Sequence, residues 1–131
     1  MCKLGDFGVS AVLKHAEENL QEGVGTPFYI SPEMIKGKPY SYESDIWSLG
    51  IVLYEMTALK YPFQYAKNSD LFKAITKKEV DLNYLPFNYS KELKNIIKGC
   101  LKKDPTKRPT LDQLLEHSKV KLAIERMINK H

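Results

Sequence analysis

Asp45-Ile46-Trp47-Ser48-Leu49-Gly50-Ile51-Val52-Leu53-Tyr54-Glu55-Met56-Thr57-Ala58-Leu59 decides the fold of this chain. Ile46, Trp47, Leu49, Ile51, Val52, Leu53, Tyr54, Met56, Ala58 and Leu59 spread apolar side chains nearly all the way round a helix of 3.6 residues per turn. A helix with that pattern is predicted to be buried, with other elements packed about it. Tyr61-Pro62-Phe63 ends it, because proline cannot continue the hydrogen-bond ladder.

Helical spacing continues downstream. A shorter helix is predicted after Asp70, with Leu71, Phe72, Ala74 and Ile75 on its inner side. Ser90 suits the N-cap of the next, where Leu93, Ile96, Ile97, Cys100 and Leu101 follow the i, i+3, i+4, i+7, i+8 rule. Asp104-Pro105 and Arg108-Pro109 make a turn, and Thr110-Leu111-Asp112-Gln113 carries a capping-box signature. Val120, Ile124, Met127 and Ile128 form a narrower stripe on a terminal helix. Upstream, residues 10–41 are punctuated by Gly23, Gly25, Pro27, Pro32, Gly37 and Pro39, and no period survives. So long an irregular stretch points to a functional loop. Residues 1–9 read as a short strand, a tight turn and a second strand. The expected fold is mostly α, around a buried central helix, with a minor strand pair near the N-terminus.

At 131 residues and 43% hydrophobic, the chain is one domain or part of one, and it is not a disordered polymer. Cys2 and Cys100 form no disulfide framework, which fits a reducing, intracellular compartment. No apolar run is long enough to cross a bilayer, and the first residues lack a secretory core. The net charge of +4 is uneven: residues 91–131 hold 11 Lys/Arg against 5 Asp/Glu. These lysines interleave with apolar residues at helical spacing, so solvated helix faces account for them better than a nucleic-acid footprint. His15, His117 and His131 have no metal-ligand spacing with either cysteine.

Four segments carry chemistry. In Leu4-Gly5-Asp6-Phe7-Gly8, a carboxylate on a tight turn between glycines can approach a phosphate-bound Mg²⁺, which needs only one or two protein carboxylates. Taken alone, the same tripeptide is an ordinary Asp–Gly turn. Gly25-Thr26-Pro27-Phe28-Tyr29-Ile30-Ser31-Pro32-Glu33 is a rigid loop presenting a hydroxyl and an aromatic pair. Ser44-Asp45 opens the central helix. Arg108 sits between prolines at a helix start, where its charge opposes the dipole and calls for an acidic partner elsewhere.

In this order and spacing, the four segments resemble the C-terminal lobe of a eukaryotic-type serine/threonine protein kinase. The resemblance spans residues 1–118, a partial kinase domain, with residues 119–131 as a C-terminal helical extension. It implies that Asp6 binds Mg²⁺ and ATP phosphate, that residues 6–33 are an activation segment, and that Thr26 positions a hydroxyl substrate. Ser31-Pro32-Glu33 matches the family's Ala-Pro-Glu motif; Glu33 then pairs with Arg108, and Asp45 has a structural role at the start of the central helix. The wording around Gly25–Glu33, Lys38-Pro39-Tyr40 and Leu59–Phe63 is most similar to the NIMA-related (Nek) kinases. The Ste20-like group is the second choice. Glu22 stands where many relatives carry an activating Ser or Thr; a built-in phosphomimic and a plain loop substitution are equally consistent with it.

The resemblance implies ATP, Mg²⁺ and a protein substrate, a cytoplasmic location, and neither nucleic acid nor membrane as partner. Residues 1–131 contain no Gly-rich loop, no strand Lys and no catalytic-loop Asp, so the chain alone is expected to be inactive. Its catalytic loop and ATP lobe would precede Asp6. A kinase fragment, a non-catalytic module docking through residues 70–78, and a basic nucleic-acid binder are the three readings, with the first favoured.

Overall fold

The structure is a computed structural model and describes residues 27–129. Six α-helices follow one another there: α1 (Pro32–Ile35), α2 (Tyr42–Ala58), α3 (Asn68–Lys77), α4 (Lys91–Cys100), α5 (Leu111–Glu116) and α6 (Ser118–Ile128). Short 3₁₀ turns occupy Leu82–Tyr84 and Pro105–Lys107. The described residues are mostly helical; the strand pair expected near Asp6 lies outside them.

α2 is the axis. It begins at Tyr42, one turn ahead of Asp45, because Ser41 caps it: the Ser41 N–H donates to Ser44 Oγ at 3.3 Å. It ends at Leu59, a non-glycine residue in the left-handed region (φ 56°) whose N–H closes the last turn on Glu55 O. Ser90 and Thr110 cap α4 and α5 through the N–H groups of Leu93 and Gln113. Each satisfies a donor that a helix start would otherwise leave open.

α2 packs chiefly against α4. Trp47, Ile51 and Tyr54 meet Phe63, Leu71, Ile75, Ile97 and Leu101 in the main core, and Ile46, Cys100 and Leu114 form a smaller one beside it. Gly50 makes the close approach possible. A Cβ there would stand 2.7 Å from Cys100 Cβ and 2.8 Å from Leu101 Cδ2, inside contact distance of atoms that cannot swing away. Gly50→Ala should therefore destabilise by about 1–3 kcal/mol despite alanine's better helix propensity. A urea denaturation midpoint that rises instead would show that α4 gives way freely.

The structure departs from the sequence reading in three places. α2 is not covered all round: Val52, Met56 and Leu59 are exposed, the last two at 65% and 88%. The terminal stripe is likewise left open, since Ile124, Met127 and Ile128 on α6 are exposed and α6 buries no residue. Residues 32–35 of the stretch read as irregular form the single-turn helix α1, started by Pro32.

Candidate functional site

The segment Pro27–Glu33 lies along α2, fixed by a different interaction at nearly every residue. Phe28 stacks on Tyr61 with ring centres 4.2 Å apart, and Tyr29 meets the same ring edge-on at 5.8 Å. The Tyr29 hydroxyl donates to Glu55 Oε2, a bond that first among several causes pushes its pKa well above the usual phenol range. Ser48 Oγ donates to the Tyr29 carbonyl, and Ile30 drops into the core. The backbone here is held from both sides, which suits a surface that positions a chain laid against it.

Glu33 closes the segment. Its side chain is 6% exposed, and that of Arg108 is fully buried. Arg108 Nη1 donates to Glu33 Oε1 and Nη2 to Oε2, both at 2.8 Å, which is the bidentate fork only arginine can present. Ser44 Oγ donates to the same carboxylate at 2.8 Å. Arg108 also reaches the carbonyls of Lys102, Glu43 and Lys103. Burial alone would raise the Glu33 pKa. The bonds from Arg108, its own backbone N–H and Ser44, with the Arg108 charge, outweigh it and hold the group at about 2.

The Trp47 ring lies beside this pair. The Arg108 guanidinium sits 5.2 Å from its centre and the Lys103 ammonium 5.1 Å from it. Desolvation comes first in pushing the Lys103 pKa down to about 8, and its Nζ is buried without a hydrogen-bond acceptor.

Of the residues singled out from sequence, Glu33 and Arg108 are brought together across 75 positions. Asp45 is exposed in the first turn of α2, and desolvation raises its carboxyl pKa. It makes no hydrogen bond to another side chain among the described residues. Asp6, Glu22 and Thr26 lie outside those residues. Sequence reasoning missed three contributors: Glu55, Ser44 and Lys103. Glu55 and Ser44 act on partners 26 and 11 positions away, so no local pattern reports them. Lys103 sits in a run of lysines that reads as solvated. Among the described residues, no group of three or more His, Cys, Asp or Glu could hold a metal ion. No helix there is long and apolar enough to cross a membrane.

A helical lobe whose loop segment is locked to a central helix by a buried Glu–Arg fork defines a class, and the family comparison agrees. Residues 1–120 match the protein kinase domain, and the chain belongs to that family. Within it, the chain is similar to the NIMA-related serine/threonine kinases. It is 42% identical over 118 residues to serine/threonine-protein kinase Nek8 of Danio rerio, covering 88% of this chain and 16% of that protein. It is 43% identical over 115 residues to the probable serine/threonine-protein kinase nek3 of Dictyostelium discoideum, covering 87% and 10%. Against serine/threonine-protein kinase Nek1 of Mus musculus it is 35% identical over 129 residues, covering 97% and 10%. The chain thus spans between a tenth and a sixth of the length of these relatives.

Proposed function

We propose that this chain is the activation segment and helical lobe of a kinase that transfers the γ-phosphate of ATP to protein Ser or Thr. The observation that carries this reading is the buried fork between Glu33 and Arg108, which anchors the segment Pro27–Glu33 to the lobe. Residues 1–118 are the partial kinase domain and residues 119–131 a helical extension. Thr26, one residue before the anchored stretch, positions the substrate hydroxyl. Asp6 would hold a Mg²⁺ that offsets the charge of the ATP phosphates, and Glu22 occupies the place of an activating phosphosite. Asp45 has a structural role at the start of α2.

Phosphoryl transfer is mainly positioning and electrostatics shared among many parts. Residues 1–131 hold no strand Lys and no catalytic-loop Asp, so the chain by itself should give no ATP-dependent phosphorylation of a Ser/Thr peptide. Fused behind the preceding half of the Nek8 kinase domain, it should support turnover that falls at least ~100-fold in Asp6→Ala. A folded fusion that binds ATP yet transfers no phosphate would favour the non-catalytic binding module. Asp6-dependent turnover by residues 1–131 alone would overturn the division of labour proposed here.

A further inference from the structure

Beside Glu33 lies a cavity of about 420 Å³ lined by Glu33, Lys36, Lys38, Lys103, Asp104 and Pro105. Its three lysines come from two places. Lys36 and Lys38 flank Gly37, whose left-handed φ of 71° lets α1 end in a reversal: the Gly37 N–H donates to Met34 O, and the Lys38 N–H to Glu33 O. That turn carries both lysines to the cavity. Lys103 reaches it from the loop after α4, some 65 positions on.

The charges in this cavity are unbalanced. Its two carboxylates are both engaged: Glu33 by Arg108 and Ser44, Asp104 by the N–H and hydroxyl of Thr106. Among the described residues, the salt bridges are Arg108–Glu33 and Lys121–Glu116, so none of the three lysines has an acidic partner. Lys103 is the most unusual of them. Its ammonium is buried, makes no hydrogen bond among the described residues, and lies over two aromatic faces, 4.4 Å from the centre of Phe63 and 5.1 Å from that of Trp47; the Glu79 carboxylate favours its charge and the Arg108 guanidinium opposes it. A buried cation with neither a hydrogen-bond acceptor nor a salt bridge is poorly compensated, and an anion delivered to the cavity would relieve it.

We propose that the Lys36–Lys38–Lys103 cavity binds a phosphate monoester, carried on a phosphorylated side chain or free in solution. Three lysines lining one cavity from two separate chain segments suit a tetrahedral dianion. A planar carboxylate is better matched by an arginine fork, and the only arginine here is already committed to Glu33. The site is separate from the phosphotransfer role above and does not depend on it. Its occupant would sit directly behind Glu33, so binding would also brace the anchored segment.

Trp47 is the single tryptophan of the chain and lies against Lys103, so its fluorescence reports on the site. The 131-residue chain would be titrated at constant ionic strength with inorganic phosphate, with a phosphoserine peptide, and with that peptide unphosphorylated. A saturable change is expected with both phosphates and none with the unphosphorylated peptide. Tighter binding of the phosphopeptide would assign the occupant to a protein segment; equal affinity would assign it to phosphate itself. Lys36→Gln with Lys38→Gln, both at exposed positions that leave the core intact, should weaken binding about tenfold or more. Lys103→Met should weaken it at least as much, with the circular dichroism spectrum unchanged. A linear, unsaturable response, or a Lys36→Gln/Lys38→Gln chain that titrates like the unaltered one, would overturn the proposal.

Discussion

Arg108→Ala should cost ~3–5 kcal/mol in unfolding free energy, measured by urea denaturation of the 131-residue chain. Removing the guanidinium leaves Glu33 as a buried carboxylate whose remaining side-chain donor, among the described residues, is Ser44. It also strips donors from the carbonyls of Glu43, Lys102 and Lys103. That loss is a large share of the stability of a domain this size. Arg108→Lys should be nearly as damaging. All three guanidinium nitrogens are in use, and a lysine's single nitrogen cannot span two carboxylate oxygens and three separated carbonyls. Replacing both partners together, as Glu33→Leu with Arg108→Met, should cost clearly less than the two single changes combined, because no charge is then left alone. Additive costs would show that the pair is not coupled.

The same pair sets a pH dependence. Glu33 titrates at about 2 in the fold, against an ordinary value of 4.5. The folded state therefore favours the ionised form, and the stability this supplies is complete above pH 4.5. It is lost progressively as the pH falls from there toward 2. In Glu33→Gln that part of the acid limb should flatten, at lower stability throughout.

Much of the fold was legible because helix ends are written locally. Ser90 and the Thr110–Gln113 box mark the starts of α4 and α5 with side chains that bond three residues away. The start of α2 was displaced by one turn because its cap is a pair of serines, Ser41 and Ser44. The open side of α2 was not legible at all. When apolar residues go nearly all round, periodicity names no outward face, and only the neighbours present decide which residues stay bare. The candidate site divides along the same line. Arg108 stood out because two prolines and an unfavourable helix-start position isolate it, and the partner it calls for lies at Glu33. The Tyr29–Glu55 bond and the burial of Lys103 depend on chain segments meeting in space, which no spacing rule encodes.

Trp47→Ala is the second large effect expected, again ~3–5 kcal/mol. The ring is fully buried and stacked at 6.2 Å on Phe63, so its removal opens a cavity that α4, already pressed on Gly50, cannot simply collapse to fill. The ring also forms the wall against which both Arg108 and Lys103 lie. Without it water reaches the Glu33–Arg108 fork, and a shielded ion pair becomes a partly solvated one worth much less. Trp47→Ala and Arg108→Ala should therefore be sub-additive: once the wall is gone, there is less of the pair left to lose. Trp47→Phe separates the two contributions. It keeps an aromatic face for the two cations and removes an indole N–H that is buried without an acceptor, so part of the lost volume is offset. Its cost should fall well below that of Trp47→Ala, and the acid limb set by Glu33 should survive in Trp47→Phe while weakening in Trp47→Ala. Equal losses in both variants, with the acid limb unchanged, would mean that Trp47 fills space and does nothing for the charges beside it.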